Sequence, residues 1–303
     1  MCPASAPRRD ACVDPGRRPH LVSHRADATL QLCRLESRAT GRDGFMAVKA
    51  YLRPKSPSEA LALIEGDERA ALIGGGAYLR LASRGYETAV DLCDAGLDRV
   101  RVEDGALRLG AMVTYRRLET DLVVRDCSGG LLGRCVENIV GVQVRNIVTV
   151  GGTVAGRYAF ANLTTALLAL GADVVLARGG RKPLEQFLAD KAPARDVLVE
   201  VVVPTAVRRS AWRDLTRVRS DFAVLNVAAV DVGGEVRVAV GARPGVARLA
   251  RGAMQAAAAG DARGAGEAAA AELDFGDDLR ASADYRRRVC GALVTRALEE
   301  VLA

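Results

Sequence analysis

Aromatic side chains make up only 4% of the 303 residues, and histidine occurs twice, at His20 and His24. So few aromatics leave no base-stacking platform for single-stranded nucleic acid. A net charge of +6 supplies no footprint either, because the 43 basic residues are spread among 37 acidic ones instead of forming a stripe. Two histidines near the start of the chain cannot build a nucleophile–base pair elsewhere. The seven cysteines (Cys2, Cys12, Cys33, Cys93, Cys127, Cys135 and Cys290) contain no Cys-x-x-Cys and no zinc spacing, so no metal is expected on protein ligands alone. An odd thiol count without a secretory h-region excludes a disulfide framework, and no apolar run approaches the roughly 20 residues of a membrane span. A cytoplasmic protein is expected, with neither nucleic acid nor membrane as partner.

Glycine, by contrast, is concentrated where it has chemical meaning. Ile73-Gly74-Gly75-Gly76-Ala77-Tyr78 and Val150-Gly151-Gly152-Thr153 lie about 75 residues apart, each a glycine turn able to bring bare backbone N–H groups against an anion. Ala70–Ile73 reads as a short buried strand entering the first turn, and Ile147-Val148-Thr149-Val150, being β-branched, as a strand entering the second. Free amides at both turns, with the Thr153 hydroxyl, suit a dinucleotide diphosphate. Neither turn has the G-x-G-x-x-G spacing with a downstream acid, and no G-x-x-x-x-G-K-[ST] occurs, so Rossmann and P-loop readings lose their support.

Residues 1–45 are rich in Pro, Arg, Ser and Asp with little periodicity, a composition that cannot offset the entropy of ordering, so a disordered extension or an upstream translation artefact is expected there. From Met46 the pattern is β-α-β, with Ser58 as a helix N-cap and Asp104-Gly105 as a hairpin turn. Helices are expected at Leu131–Val140 and Leu163–Gly171, and strands at 172–177 and 198–203. Strands over 212–219 and 223–232 turn at Gly233-Gly234 into a third at 236–241. The alanine-rich stretch 253–273 reads as a loosely packed helix pair, and 285–302 as a helix with Val289, Leu293, Leu298 and Val301 on one apolar face.

Six segments in order give residues 46–303 a likeness to a known family. They are Lys49–Ala60, the first glycine turn, Arg145-Asn146 through Ala155, Ala166–Ala172, Arg219–Ala229 and Asp284–Arg288. Together they resemble the FAD-binding subunit of the xanthine dehydrogenase and carbon monoxide dehydrogenase group of molybdenum hydroxylases. The resemblance implies an α+β fold: a two-lobed PCMH-type FAD-binding domain over 46–207 (lobes about 46–110 and 111–207), then a small α+β C-terminal domain over 208–303 with an antiparallel sheet and helices. It implies FAD between the lobes, contacted by Ile73, Gly74, Gly75, Gly76, Ala77, Tyr78, Val150, Gly151, Gly152, Thr153, Tyr158, Asn162 and Asp221. It also implies two partners, a large molybdopterin-binding subunit and a small 2Fe-2S subunit, with electrons leaving to NAD or another acceptor.

The chain departs from the family pattern at several of these places. Gly76 and Ala77 stand where side-chain donors are usual, and Asn162 stands where the family has Asp; a helix cap explains Asn162 as well as flavin binding does. Tyr158 and Phe160 suit either the ring or the core, Asp221 either the flavin side or a turn, and Arg145 and Asn146 either the site or the surface. Cys127 and Cys135 fall in the region where some relatives insert an iron–sulfur loop, and two thiols without that loop read as buried core. Two other readings stay open: a stand-alone flavin reductase on the same superfold, and a scaffold subunit that has lost FAD.

Overall fold

The computed structural model describes residues 48–79, 85–190 and 195–303, and the expected disorder of 1–45 lies outside them. The chain opens with β1 (Ala50–Leu52), α1 (Pro57–Gly66), β2 (Ala70–Ile73) and β3 (Thr88–Asp91), which form a parallel sheet in the order β1-β3-β2. Helix α1 is capped by Ser56, whose Oγ accepts from Glu59 N–H at 3.1 Å, and not by Ser58. Pro57 sets the boundary, because its fixed φ and missing N–H suit the first helical position.

Strands β4 (Val100–Glu103) and β5 (Ala106–Gly110) follow as a hairpin. Asp104 and Gly105 both take positive φ at its turn, the conformation a two-residue loop requires. Six helices come next: α2 (Tyr115–Thr120), α3 (Leu122–Cys127), α4 (Leu131–Val136), α5 (Val142–Ile147), α6 (Val150–Gly156) and α7 (Asn162–Ala169). Strands β6 (Asp173–Leu176), β7 (Gly180–Pro183) and β8 (Leu198–Pro204), with α8 (Leu184–Ala189) after β7, complete an antiparallel sheet in the order β4-β5-β8-β6-β7. Gly171, φ 71°, sits just beyond the end of α7 and turns the chain into β6, the usual role of glycine there.

One expected strand is absent from this middle region. Residues 147–150 are not a strand: Ile147 ends α5, Val148 is extended, and Thr149 is the N-cap of α6. Local β propensity yields because the first amides of α6 have acceptors on the segment after β5, Val150 donating to Val113 O and Gly151 to Ala111 O. Strand β7 is not among the expected strands because Gly-Arg-Lys-Pro is polar and largely exposed, and sequence reasoning missed the short helix α8 although Leu184, Phe187 and Leu188 are spaced for one buried helical face.

The C-terminal sheet is antiparallel, in the order β12-β11-β10-β9, from β9 (Val207–Leu215), β10 (Leu225–Val232), β11 (Glu235–Gly241) and β12 (Arg248–Leu249). Strand β9 ends at Leu215 instead of running on to Arg219, because its pairing with β10 closes at Leu215↔Leu225 and residues 216–224 form the connecting loop. Both faces of β10 are buried. Ala228 and Val230 join the core of the preceding domain, while Val227 and Ala229 join a second core with α9 (Arg251–Ala258), α10 (Ala262–Glu272) and α11 (Ala283–Leu302). The alanine-rich stretch is thus a helix pair, and it is tightly packed: Ala253, Ala257, Ala265 and Ala269 are buried, and a Cβ on Gly266 would lie 2.5 Å from Gly291 O. Along α11, Leu293, Leu298 and Val301 are buried and Val289 packs at the margin.

Candidate functional site

The two glycine turns meet. Thr149 Oγ1 donates to Gly74 O at 2.9 Å and accepts from Gly152 N–H at 3.1 Å, so one hydroxyl ties the first loop to the start of α6. The approach is close enough to demand glycine. A Cβ on Gly74 would come within 2.9 Å of Thr149 Oγ1, and one on Gly152 within 2.9 Å of Gly74 O. At Gly75, φ is +80° and a Cβ would sit 1.7 Å from Ile147 O. At Gly75 and Gly152 the opposing atom is a backbone carbonyl oxygen, which no side-chain rotamer can move aside.

Between the loops lies a cleft of about 240 Å³ lined by Gly74, Gly76, Ala77 and Tyr78 on one side and by Gly151, Gly152, Thr153 and Tyr158 on the other. Ile73, Gly75 and Val150 do not line it; Val150 is core, and Gly75 turns toward Ile147. Among the described residues no acceptor takes the amide hydrogens of Gly76 and Ala77. The second turn differs from expectation. Its amides are engaged within the chain, Gly151 with Ala111 O at 2.7 Å, Gly152 with Thr149 Oγ1 and Thr153 with Thr149 O at 3.0 Å. The Thr153 hydroxyl donates to Thr149 O at 2.9 Å and meets the Tyr115 hydroxyl at 2.9 Å. The first loop therefore supplies the donors, and the second a flat backbone wall.

At one end the cleft runs into an aromatic pocket, with Tyr78, Thr153 and Tyr158 shared by both. Tyr78 lies 5.3 Å from both Tyr158 and Phe160, those two stack at 5.3 Å and 19°, and Phe160 lies 4.6 Å from Phe222. Four of the chain's twelve aromatic residues are thus gathered at one place. Burial raises the phenol pKa values of Tyr78 and Tyr158, keeping both protonated at neutral pH. Asp221 is the charged residue of this pocket; its carboxylate accepts from Phe222 N–H at 2.8 Å and pairs with Arg217 at 3.3 Å. At the other end, sharing Leu72 and Ala155, is a second cavity of about 260 Å³ with Arg157 and Lys182 in its wall. Arg157 donates to the Phe187 and Asp190 carbonyls, and its guanidinium lies 4.5 Å from the Phe187 ring centroid.

Asn162 also lines the aromatic pocket, but it is not the cap of α7. Ala161 occupies the cap position without a side-chain bond, and the Asn162 carboxamide turns inward to Cys135 O and Asn226. Arg145 is likewise committed, to Glu119 and Ile139 O. Cys135 is buried, its thiol pKa raised by burial, whereas Cys127 is only half-buried. Sequence reasoning missed Thr149 and Phe222. A Thr just before Val-Gly-Gly is an N-cap signal; nothing local marks Phe222.

Val140 lines the pocket mouth, 42% exposed, with φ 46°. A β-branched residue in that region is a strained outlier. Val140→Gly is expected to raise the melting temperature, because relief of about 1–3 kcal/mol of strain exceeds the roughly 0.5–1 kcal/mol entropic cost of glycine. A thermal melt with a lowered midpoint would show that the position is unstrained.

Among the described residues no helix is long and apolar enough to cross a membrane. Residues 45–206 match the FAD binding domain in molybdopterin dehydrogenase, and residues 210–301 match the CO dehydrogenase flavoprotein C-terminal domain. The Escherichia coli K12 protein YgfM, described as uncharacterized, is 30% identical over 257 residues, covering 82% of this chain and 94% of its own. The carbon monoxide dehydrogenase medium chain of Hydrogenophaga pseudoflava is 28% identical over 286 residues, covering 84% and 96%. The structure of carbon monoxide dehydrogenase from that organism superposes with a TM-score of 0.75 at 28% identity over 83% of this chain and 96% of that one. Quinoline 2-oxidoreductase from Pseudomonas putida 86 superposes with a TM-score of 0.74 at 26% identity over 83% and 96%.

Proposed function

The chain belongs to the FAD-binding family of molybdopterin dehydrogenases, with FAD as its cofactor, and from that premise we propose that it is the electron-relaying flavoprotein of a multi-subunit molybdenum hydroxylase. The observation that supports this most is the cleft between the two loops: amides on Gly76 and Ala77 that no acceptor takes among the described residues, a glycine wall opposite, and aromatic rings at one end. These residues suit the group. Donors face where an anion needs them, side chains are absent where backbone must come close, and the rings offer an apolar seat.

In this reading Gly74, Gly76 and Ala77 hold the diphosphate against Gly151, Gly152 and Thr153. Tyr78, Tyr158, Phe160 and Phe222 seat the ring system, with Asn162 and Asp221 beside it. The basic cavity at Arg157 and Lys182 receives the adenosine end. Bound FAD supplies the redox chemistry, exchanging electrons singly or in pairs. The chain's own residues bind it, orient it and keep water from its buried face. Among the described residues the pocket holds neutral phenols and one carboxylate already paired with Arg217, and no acid–base pair for breaking a C–H bond. Electrons then come from the iron–sulfur clusters of a small 2Fe-2S subunit, fed by a large molybdopterin-binding subunit, and leave to NAD⁺ or another acceptor. The medium-chain relative in Hydrogenophaga pseudoflava supports a place within such a complex.

Anaerobic mixing of the FAD-loaded chain with NADH is expected to bleach the flavin, whereas N-heterocyclic substrates are expected to leave it oxidised until the partner subunits are added. Direct bleaching by an organic substrate would overturn the relay reading.

A further inference from the structure

The Asn162 carboxamide is the middle of a hydrogen-bonded line that crosses from the flavin-binding domain into the C-terminal sheet. Thr165 Oγ1 donates to Asn226 Oδ1 at 2.8 Å, Asn226 Nδ2 to Asn162 Oδ1 at 2.7 Å, and Asn162 Nδ2 to Cys135 O at 3.2 Å. Every member is buried, Asn226 with no exposed surface at all. The donors run in one direction, so each amide orientation is fixed by its neighbour, and no member is charged. Room for the line is made by Gly241 on β11, where a Cβ would fall 2.0 Å from Thr165 Oγ1 and 2.6 Å from Asn226 Oδ1.

The placement matters more than the burial. Asn162 follows Phe160 by two residues, and Asn226 follows Phe222 by four, and these are the two rings in contact at 4.6 Å in the aromatic pocket. The line therefore joins the two backbone segments that present the facing rings, one from each domain.

We infer that Thr165, Asn226 and Asn162 are positioning residues, a neutral relay that registers the C-terminal sheet against α7 and so fixes Phe222 against Phe160 at the flavin seat. The inference rests on the reading of the aromatic pocket as the ring site. Its physical content is that three buried bonds, far apart in sequence, set one inter-ring geometry. Breaking any one of them leaves a buried polar group unpaired, and the β10 segment shifts to satisfy it.

The test uses the full chain reconstituted with FAD. Thr165→Val keeps the shape of the side chain and removes its donor; Thr165→Ser keeps the donor; Gly241→Ala attacks the same bond from β11. Thr165→Val and Gly241→Ala are expected to weaken FAD binding about tenfold, the scale of one lost buried hydrogen bond, and to brighten the bound flavin's fluorescence as the rings loosen. Thr165→Ser is expected to restore both. In a Phe222→Leu background the Thr165→Val change is expected to add little, since the ring it positions is gone. Wild-type flavin affinity and emission in Thr165→Val, or an effect fully additive with Phe222→Leu, would overturn the relay even if the melting temperature fell. Failure of the wild-type chain to bind FAD would instead overturn the ring-site reading.

Discussion

Gly75→Val is expected to abolish FAD retention while leaving the secondary structure intact. The new Cβ would be 1.7 Å from the Ile147 carbonyl oxygen, and the backbone at φ +80° is one that a β-branched residue rarely adopts. Strain of about 1–3 kcal/mol and overpacking of a further roughly 1–3 kcal/mol act together on the loop junction. The only relief is separation of the two loops, which opens the cleft lined by Gly74, Gly76, Ala77 and Gly152. A loss in FAD affinity of about a hundredfold or more follows, at roughly 1.4 kcal/mol per decade. Gly152→Ala is expected to be milder though still damaging: its Cβ would meet the backbone oxygen of Gly74 at 2.9 Å and Thr149 Oγ1 at 3.0 Å, so the loops must still part, but its φ is ordinary and adds no backbone strain. The ratio of flavin absorbance to protein after purification, followed by reconstitution titrations, measures both. Stoichiometric FAD at unchanged affinity in Gly75→Val would show that the junction does not form the cradle.

The cleft was readable in the sequence because glycine there answers to a local requirement. Three glycines after a buried strand, and two more after a β-branched run, announce backbone that must bend or come close. The sequence also showed the hairpin at Asp104-Gly105 and the meander turning at Gly233-Gly234, where composition and conformation coincide. What it misread was decided by contacts between distant residues. Residues 147–150 look like a strand until Ala111 and Val113 are seen to accept the first amides of α6. Asn162 looks like a cap until its partners appear 27 residues before it and 64 residues after it. The free amides expected at Gly151 and Gly152 are taken up for the same reason. Alanine richness in 253–273 signalled helices correctly but suggested looseness; small side chains instead let α10 approach α11 until backbones nearly touch at Gly266 and Gly291.

Arg286→Ala is expected to cause the largest loss of stability of any single change outside the cleft. The side chain has no exposed surface, and its guanidinium donates to Val224 O at 2.9 Å, Gly276 O at 2.7 Å, Ala281 O at 2.6 Å and the Asp278 carboxylate at 2.6 Å. Burial pushes the Asp278 carboxyl up, but Arg286 and the amides of Arg280 and Ala281 outweigh it and hold the pKa at about 2. Removing one partner of such a pair costs about 3–5 kcal/mol, because it strands the remaining acceptors. For a structure of this size that lowers the melting temperature by on the order of 10 °C. Arg286→Lys is expected to fall between, since an ammonium has no fork to reach four acceptors at once. The sign of the pH dependence follows from a depressed folded pKa: the Asp278 contribution is present above its unfolded pKa and disappears as pH falls from about 4 toward 2. Denaturant titrations of wild type and Arg286→Ala at neutral and acid pH are thus expected to converge as the pH drops. Equal separation of the two at both pH values would assign the clamp to its carbonyl contacts alone. Because Val224 O lies two residues beyond Phe222, the same substitution is also expected to loosen the aromatic pocket and weaken flavin binding, joining the stability of the C-terminal domain to the cofactor's seat.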